Sequence, residues 1–156
     1  NEAKQAFPKI SWFVHDCYKT LKLSEPIDLV YSLQTLSVLP QGYKKHFNTI
    51  QKLESKNFSG SILLWDGDGD YSLNINSKRG AFVYNLYNME DFKNSLKNIG
   101  FDIIVIKKWT INKAIAKDPS IKGMGTYTLS QNGENLQVSG PLLMPWYFFL
   151  ASREDT

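Results

Sequence analysis

The sequence predicts an α/β fold built on a mostly parallel sheet. Residues 27–31 and 61–65 are short apolar runs, rich in β-branched and aromatic side chains, with the length of buried strands. Residues 42–56 and Met89–Asn98 place apolar side chains at helical spacing, and they alternate with the strands along the chain. This alternation is typical of a parallel sheet covered by helices on both faces, so we expect that architecture.

The other elements follow in chain order. Residues 1–7 have helix-forming composition and stop at Pro8, and residues 10–14 are strand-like. Asn88 is a typical N-cap for the helix Met89–Asn98, and Gly100 marks its end. Further strands are expected at residues 101–106, 126–129 and 146–151, with residues 71–87 as a long excursion containing extended pieces. No helix is predicted between the strand at 101–106 and the last strand, at 146–151. We therefore expect the last strand to run antiparallel.

Composition limits the class of protein. The chain has 156 residues, of which 42% are hydrophobic, enough for one globular domain spanning residues 1–156. The net charge of +3 comes from scattered side chains, which predicts no nucleic-acid partner. No apolar run approaches the ~18 residues that a membrane helix needs. The single cysteine, Cys17, excludes an internal disulfide framework and favours the cytoplasm.

Polar residues follow the strand at 27–31 at the point where it should end. Ser32, Gln34 and Thr35 stand in this position, and a helix-like segment follows. In open α/β sheets, ligands bind beyond the carboxyl ends of the strands. We therefore expect the chemistry of this protein at residues 32–35.

The order of elements resembles the second half of a class I S-adenosylmethionine-dependent methyltransferase, a Rossmann-like domain whose last strand is inserted antiparallel. The local segments are similar to small-molecule N-methyltransferases, the histamine N-methyltransferase type in particular. The segments that carry the resemblance are residues 10–17 (ISWFVHDC), 27–34 (IDLVYSLQ), 60–65 (GSILLW) and 89–101 (MEDFKNSLKNIGF).

The resemblance implies S-adenosylmethionine as the cofactor. His15, Asp16 and Cys17 would lie along its adenine side, and Ser32 and Leu33 would contact it at the end of the next strand. Two of these residues also have a structural interpretation: His15 as an ordinary loop histidine, and Asp16 as the cap of a turn.

The resemblance also implies a small-molecule substrate, an amine. Gln34 would face that amine and serve as the catalytic residue, because an amide orients a neutral amine without charging it. Gln34 could alternatively be only the start of the following helix. Among the aromatic side chains, Tyr84 and Tyr87 are the candidates for a substrate wall. Methyl transfer is an in-line displacement that depends on positioning, so no strong base is required.

The glycine-rich turn of the resembled family, and the acidic residue that holds the ribose, are not found in these residues. We therefore expect residue 1 to fall in mid-domain, with the first βαβ portion preceding it in a longer protein. The alternative is a non-catalytic Rossmann-like scaffold or partner subunit that lacks the cofactor-binding turn. The sequence leaves the oligomeric state open.

No metal site is expected. Asp66, Asp68 and Asp70 resemble the start of a calcium loop, but Tyr71 and Ser77 stand where that loop needs glycine and glutamate. Two histidines and one cysteine do not make a zinc site. We interpret the acidic stretch as a solvated turn.

Overall fold

The computed structural model describes residues 2–11, 14–77, 80–109, 126–139 and 144–153. These residues form an eight-stranded mixed sheet with helices against it. The helices are α1 (Glu2–Ala6), α2 (Gly42–Lys52) and α3 (Met89–Asn98). The strands are β1 (Leu29–Ser32), β2 (Asn57–Trp65), β3 (Tyr71–Ser77), β4 (Gly80–Asn88), β5 (Asp102–Lys108), β6 (Thr126–Gln131), β7 (Glu134–Ser139) and β8 (Trp146–Ser152).

Strand β2 is the centre of the sheet. Along one edge it pairs with β1 in parallel, and along the other it pairs with β8 antiparallel. Strand β8 lies between β2 and β5 and is antiparallel to both. The prediction that the last strand is inserted antiparallel is therefore confirmed.

A four-stranded antiparallel extension continues the sheet beyond the end of β1. Its strand β4 pairs in parallel with the last two residues of β2, Leu64 opposite Tyr87 and Trp65 opposite Asn88. Strands β3, β6 and β7 follow in antiparallel pairs. Among the described strands only β1–β2 and β2–β4 are parallel, so the prediction of a mostly parallel sheet is wrong. The sheet is mixed because each hairpin places its second strand antiparallel to its first.

Most of the predicted helices and strands are present. The strands predicted at 27–31, 61–65, 101–106, 126–129 and 146–151 overlap β1, β2, β5, β6 and β8. Helix α3 has the predicted bounds, with the Asn88 side chain accepting a hydrogen bond from the Asp91 N–H at 2.8 Å. Helix α2 starts where predicted but ends at Lys52. Of the strand expected at 10–14, residues 12–13 lie outside the described residues, and Ile10, Ser11 and Val14 belong to no strand.

Helices α2 and α3 pack on one face of the sheet and form the core there. Aromatic rings dominate it. Phe47 of α2 packs edge-on against Phe58 of β2 with ring centroids 5.7 Å apart, and Phe92 of α3 packs in the same way against Phe149 of β8 at 5.1 Å. Truncating such a buried ring to alanine costs about 3–5 kcal/mol. This cluster fixes both helices against β2.

The opposite face of the sheet is less covered in the described part of the chain. Tyr31, Ser59, Leu150 and Val105 form a row across β1, β2, β8 and β5, and Tyr31 is 59% exposed. Ile104 and Phe148 are exposed as well. The expectation of helices on both faces is therefore met on one face only within these residues.

Gly60 permits the close approach of β1 to β2. A Cβ at position 60 would lie 2.3 Å from the carbonyl oxygen of Ser32, far inside van der Waals contact with a backbone atom. Neither strand can move away without breaking the ladder between them. Glycine is thus required at this point of β2.

Gly60→Ala should lower the free energy of unfolding by about 1–3 kcal/mol, because the added methyl group forces β1 away from β2. Denaturant unfolding measures the loss. Gly100→Ala is the comparison, since its Cβ would meet nothing within 4 Å and only its φ of +86° opposes the change. Faster amide exchange at residues 32–35 is expected in Gly60→Ala alone, and unchanged exchange there would contradict this role.

Candidate functional site

The carboxyl end of β1 forms a short loop held against β2. Ser32 ends the strand and is 8% exposed, whereas the Leu33 side chain is 48% exposed. The N–H of Gln34 donates a hydrogen bond to Oγ of Ser61 at 2.8 Å. Oγ1 of Thr35 donates to the Leu33 carbonyl at 3.0 Å. These contacts fix the peptide groups of residues 33–35 at the position where the sequence predicts the chemistry.

Gln34 has an unusual backbone conformation, with φ of +54°. Two other non-glycine residues in the described part of the chain have positive φ, and each has a local reason. Glu54 follows the end of α2, and Asn132 lies in a two-residue hairpin turn. Gln34 lies in neither setting. Strain held by the surrounding structure is characteristic of functional sites.

The Gln34 side chain is exposed, and it forms no hydrogen bond with the described residues. Its amide therefore keeps one carbonyl acceptor and two N–H donors for a ligand. The strain is thus in the backbone, while the side chain remains available. This arrangement is compatible with the predicted role of Gln34, and it argues against Gln34 being the start of a helix, since α2 begins only at Gly42.

The segment that carries His15, Asp16 and Cys17 forms a turn. Oδ1 of Asp16 accepts a hydrogen bond from the Tyr18 N–H at 3.0 Å, as a turn cap does. Nε2 of His15 lies 3.0 Å from the Lys19 carbonyl oxygen and donates to it. The structural interpretation of Asp16 is therefore seen directly. Both side chains are exposed at the surface of the turn.

This turn is fastened to the first part of α2. Nδ1 of His46 donates to the Cys17 carbonyl at 2.7 Å, and the Gln41 N–H donates to Oη of Tyr18 at 2.9 Å. Cys17 and Tyr18 also pack against the core. The turn is therefore tied to α2 and its N-cap, whereas residues 33–35 are tied to β2. No hydrogen bond between the described residues joins the turn to residues 33–35 directly.

The structure separates Tyr84 and Tyr87. They are three residues apart on β4, so their side chains point to opposite faces. Tyr84 is half-buried, with its ring centroid 6.4 Å from that of Trp146. Tyr87 is 6% exposed and packs 4.5 Å from Tyr43 in the core. The two tyrosines do not form one wall.

Burial raises the pKa of Tyr87 to about 12, and the nearby negative charge of Asp70 acts in the same direction. The Tyr87 hydroxyl has no hydrogen-bond partner among the described residues. The neighbouring Tyr43 hydroxyl does have one, Oγ of Ser95 at 3.3 Å. Since Ser95 itself donates to the Asp91 carbonyl at 2.7 Å, Tyr43 is the donor.

The acidic stretch after β2 is a turn held by hydrogen bonds. Nε1 of Trp65 donates to the Gly69 carbonyl at 2.9 Å, and Oδ1 of Asp70 accepts from the Asn88 N–H at 2.9 Å. Nε2 of Gln131 donates to the Asp68 carbonyl at 2.6 Å. Within the described ranges, no group of three or more His, Cys, Asp or Glu side chains could hold a metal ion.

Sequence reasoning missed two buried serines, Ser61 in β2 and Ser37 in the loop before α2. Ser61 holds the Gln34 N–H, and Oγ of Ser37 accepts from the Leu63 N–H at 2.8 Å. The available signal was Ser61 itself, a polar residue next to the apolar run 62–65. Buried hydroxyls require partners, so a buried serine in a strand indicates a bond to a neighbouring loop.

None of the helices in the described segments is long and apolar enough to cross a bilayer.

Comparison with known proteins gives a likeness of fold at low identity. No protein-family model matches the chain, and no curated protein matches it. A solved structure of Burkholderia thailandensis 1,6-didemethyltoxoflavin-N1-methyltransferase, with bound 1,6-didemethyltoxoflavin and S-adenosylhomocysteine, matches with a TM-score of 0.59 at 13% identity. The match covers 99% of this chain and 56% of that one, so this chain spans little more than half of its length.

A second structure, an S-adenosylmethionine-dependent methyltransferase from Clostridium acetobutylicum ATCC 824, matches with a TM-score of 0.57 at 12% identity. It is covered over 70% of its length, by 97% of this chain. The α/β fold with a mixed sheet is therefore shared with S-adenosylmethionine-dependent methyltransferases, as the resemblance implied.

Ser61→Ala should lower the free energy of unfolding by about 1 kcal/mol, because the Gln34 N–H loses its acceptor. It should also speed amide exchange at Gln34, measured by NMR. Ser59→Ala is the matched control: it removes a hydroxyl from the same face of β2 that bonds to the Phe149 carbonyl instead. Equal exchange at Gln34 in both variants would show that Ser61 does not hold the loop.

Tyr87→Phe should leave stability at pH 7 unchanged or raise it by about 1 kcal/mol, because it removes a buried hydroxyl without a partner. Tyr43→Phe should lower it by a similar amount, since Ser95 loses its donor.

The Tyr87 substitution should also change the alkaline limb of the stability curve. The folded pKa of about 12 lies above the ordinary value of 10.0, so the folded state resists ionisation of Tyr87, and the free energy of unfolding falls as the pH rises from 10 towards 12. Denaturant unfolding at several pH values should show a smaller loss in Tyr87→Phe. Identical curves above pH 10 would contradict the raised pKa.

Proposed function

We propose that this chain is the substrate-side half of an S-adenosylmethionine-dependent methyltransferase that acts on a small molecule. The strained Gln34 at the carboxyl end of β1 carries the proposal, because it is a functional-site feature at the position where open α/β sheets bind ligands. The fold shared with two methyltransferases supports it. The protein would act in the cytoplasm, where a single unpaired cysteine is stable.

S-adenosylmethionine is the proposed cofactor. Ser32 and Leu33 would contact it from the end of β1, and His15, Asp16 and Cys17 would lie on its adenine side. The residues at the end of β1 are chemically suited to bind this cofactor. Leu33 offers exposed apolar surface and fixed peptide groups, and residues 32–35 carry no positive charge to repel a sulfonium. When bound, the cofactor supplies an electrophilic methyl group.

Gln34 would then orient the acceptor. Its amide oxygen can accept a hydrogen bond from an amine N–H and so direct the nitrogen lone pair at the methyl group. No residue from 32 to 35 is a base, so these residues would not deprotonate the acceptor, and we propose that it binds as the neutral amine. This chemistry suits a small amine of the histamine type. Tyr84 is available at the surface of β4, whereas a role for Tyr87 would require the core to open at its buried ring.

The less covered face of the sheet supports a longer protein. A mixed sheet can leave one face in water, but large apolar side chains exposed together on that face mark a surface for another element to cover. Here the described helices cover one face, and Tyr31, Ile104 and Phe148 are exposed on the strands. We propose that the first βαβ portion, with its glycine-rich turn, packs here and completes the cofactor site. The Burkholderia thailandensis neighbour has further residues outside the match, which covers 56% of its length.

The test uses the natural polypeptide that contains this chain. Formation of S-adenosylhomocysteine from S-adenosylmethionine is measured with a panel of small aromatic and heterocyclic amines. On the best acceptor, Gln34→Ala should lower kcat by about tenfold or more, equivalent to about 1.4 kcal/mol of transition-state stabilisation. The Kd for S-adenosylhomocysteine should change by less than about twofold, since the side chain faces the acceptor.

Two variants complete the design. Gln34→Gly removes the side chain and relieves the strain, so an equal loss of kcat assigns the effect to the amide. Gln51→Ala, an exposed glutamine on α2, should leave the kinetics unchanged. An unaffected kcat in Gln34→Ala would overturn the catalytic role. Absence of S-adenosylhomocysteine binding to the whole protein would overturn the enzyme and favour a non-catalytic scaffold.

A further inference from the structure

A cavity of about 780 Å³ lies between the carboxyl end of β2 and the β6–β7 hairpin. The lining residues on which the argument rests are Trp65, Tyr71, Leu86, Gln131, Glu134 and Leu136. The volume lies in the range of about 300–1,000 Å³ that small-molecule sites occupy.

Sheet register places the main lining residues in one row. Leu86 of β4 lies opposite Tyr71 of β3, and Gln131 of β6 lies opposite Glu134 of β7. Because Ser72 pairs with Ser130, Tyr71 is next to Gln131 across the β3–β6 pair. Residues opposite one another share a face, so this row forms a continuous floor across four strands.

Hydrogen bonds and ring packing fix the walls. The ring centroids of Trp65 and Tyr71 are 4.5 Å apart at an interplanar angle of 69°, which makes an aromatic corner. The Trp65 indole N–H is held by the Gly69 carbonyl at 2.9 Å. Gln131 donates to the Asp68 carbonyl at 2.6 Å, which ties the hairpin to the acidic turn. The cavity is therefore formed by contacts within the chain.

The lining selects a class of ligand. Two aromatic rings and two leucines offer apolar surface, and three amides offer donors and acceptors on the hairpin. Among the described residues of the lining, Glu134 is the one carboxylate and none is Lys, Arg or His. These residues would repel an anion, whereas both the carboxylate and the aromatic faces would attract a cation.

We infer that this cavity binds a flat aromatic or heterocyclic ligand that carries a protonated amine. Trp65 and Tyr71 contact the ring system, Leu86 and Leu136 cover its edges, and Glu134 pairs with the amine. The inference stands apart from the proposed methyl transfer. Ser61, which holds Gln34, is four residues from Trp65 along β2, roughly 13 Å at the rise of a strand.

The test compares two probes of similar shape and opposite charge. Tryptamine carries a protonated amine at pH 7, and indole-3-acetate carries a carboxylate. Isothermal titration calorimetry with the natural polypeptide that contains this chain should show tryptamine binding about tenfold or more tightly than indole-3-acetate.

Two variants with matched controls locate the binding. Glu134→Gln should weaken tryptamine by about three- to tenfold and leave indole-3-acetate unweakened. Leu136→Ser should weaken both probes by a similar factor. Their controls are Glu90→Gln, an exposed glutamate on α3, and Val83→Ser on β4. Val83 is 48% exposed, and its side chain points to the face of β4 opposite to that of Leu86, away from the cavity.

Three outcomes would overturn the inference: no saturable binding of tryptamine, equal affinity for both probes, or binding that neither cavity variant weakens. Tryptamine binding that is lost in Gln34→Ala but retained in Glu134→Gln and Leu136→Ser would place the amine at the loop after β1. That result would overturn the cavity assignment and leave the proposed methyl transfer in place.

Discussion

The contact between the Ser32 carbonyl and Gly60 is the constraint on which the rest of the structure depends. Only a residue without a side chain lets β1 lie this close to β2. The same pairing brings the loop after β1 over Ser61, whose hydroxyl then holds Gln34 in the left-handed region. The need for glycine at position 60 of β2 thus determines the position of the candidate catalytic side chain, Gln34, in the loop after β1.

Strand β2 connects two regions of different chemistry. Its first half pairs with β1 and β8 and supplies Phe58 to the aromatic core under α2 and α3. Its last residue, Trp65, enters the antiparallel extension and closes one side of the cavity. The acidic turn that follows affects both regions, since Asp68 holds the hairpin and Asp70 adds to the raised pKa of Tyr87. A single continuous strand therefore fixes the spacing of the two candidate sites.

Sequence patterns predicted the elements whose signals are local. The Asn88 cap and Gly100 bounded α3, and the apolar run of β2 was recognised, because capping and continuous burial depend on neighbouring residues. The pairing of β3 with β6 was harder to predict, because the two strands are far apart in sequence. Strand β7 was missed although Asn132-Gly133 is a strong hairpin signal. The left-handed Gln34 has no sequence signature, since it is imposed by Ser61 from 27 positions away. The separation of Tyr84 from Tyr87 follows from strand periodicity once β4 is recognised as one strand.

The most direct test of a methyl-transfer site at the end of β1 is hydrogen–deuterium exchange on the natural polypeptide that contains this chain, with and without saturating S-adenosylhomocysteine. We expect slower exchange at the amides of residues 33–36, because the cofactor would cover the loop that Ser61 holds, and little change in the β6–β7 hairpin. Unchanged exchange at residues 33–36, with the ligand bound and protection elsewhere, would contradict the placement of the site.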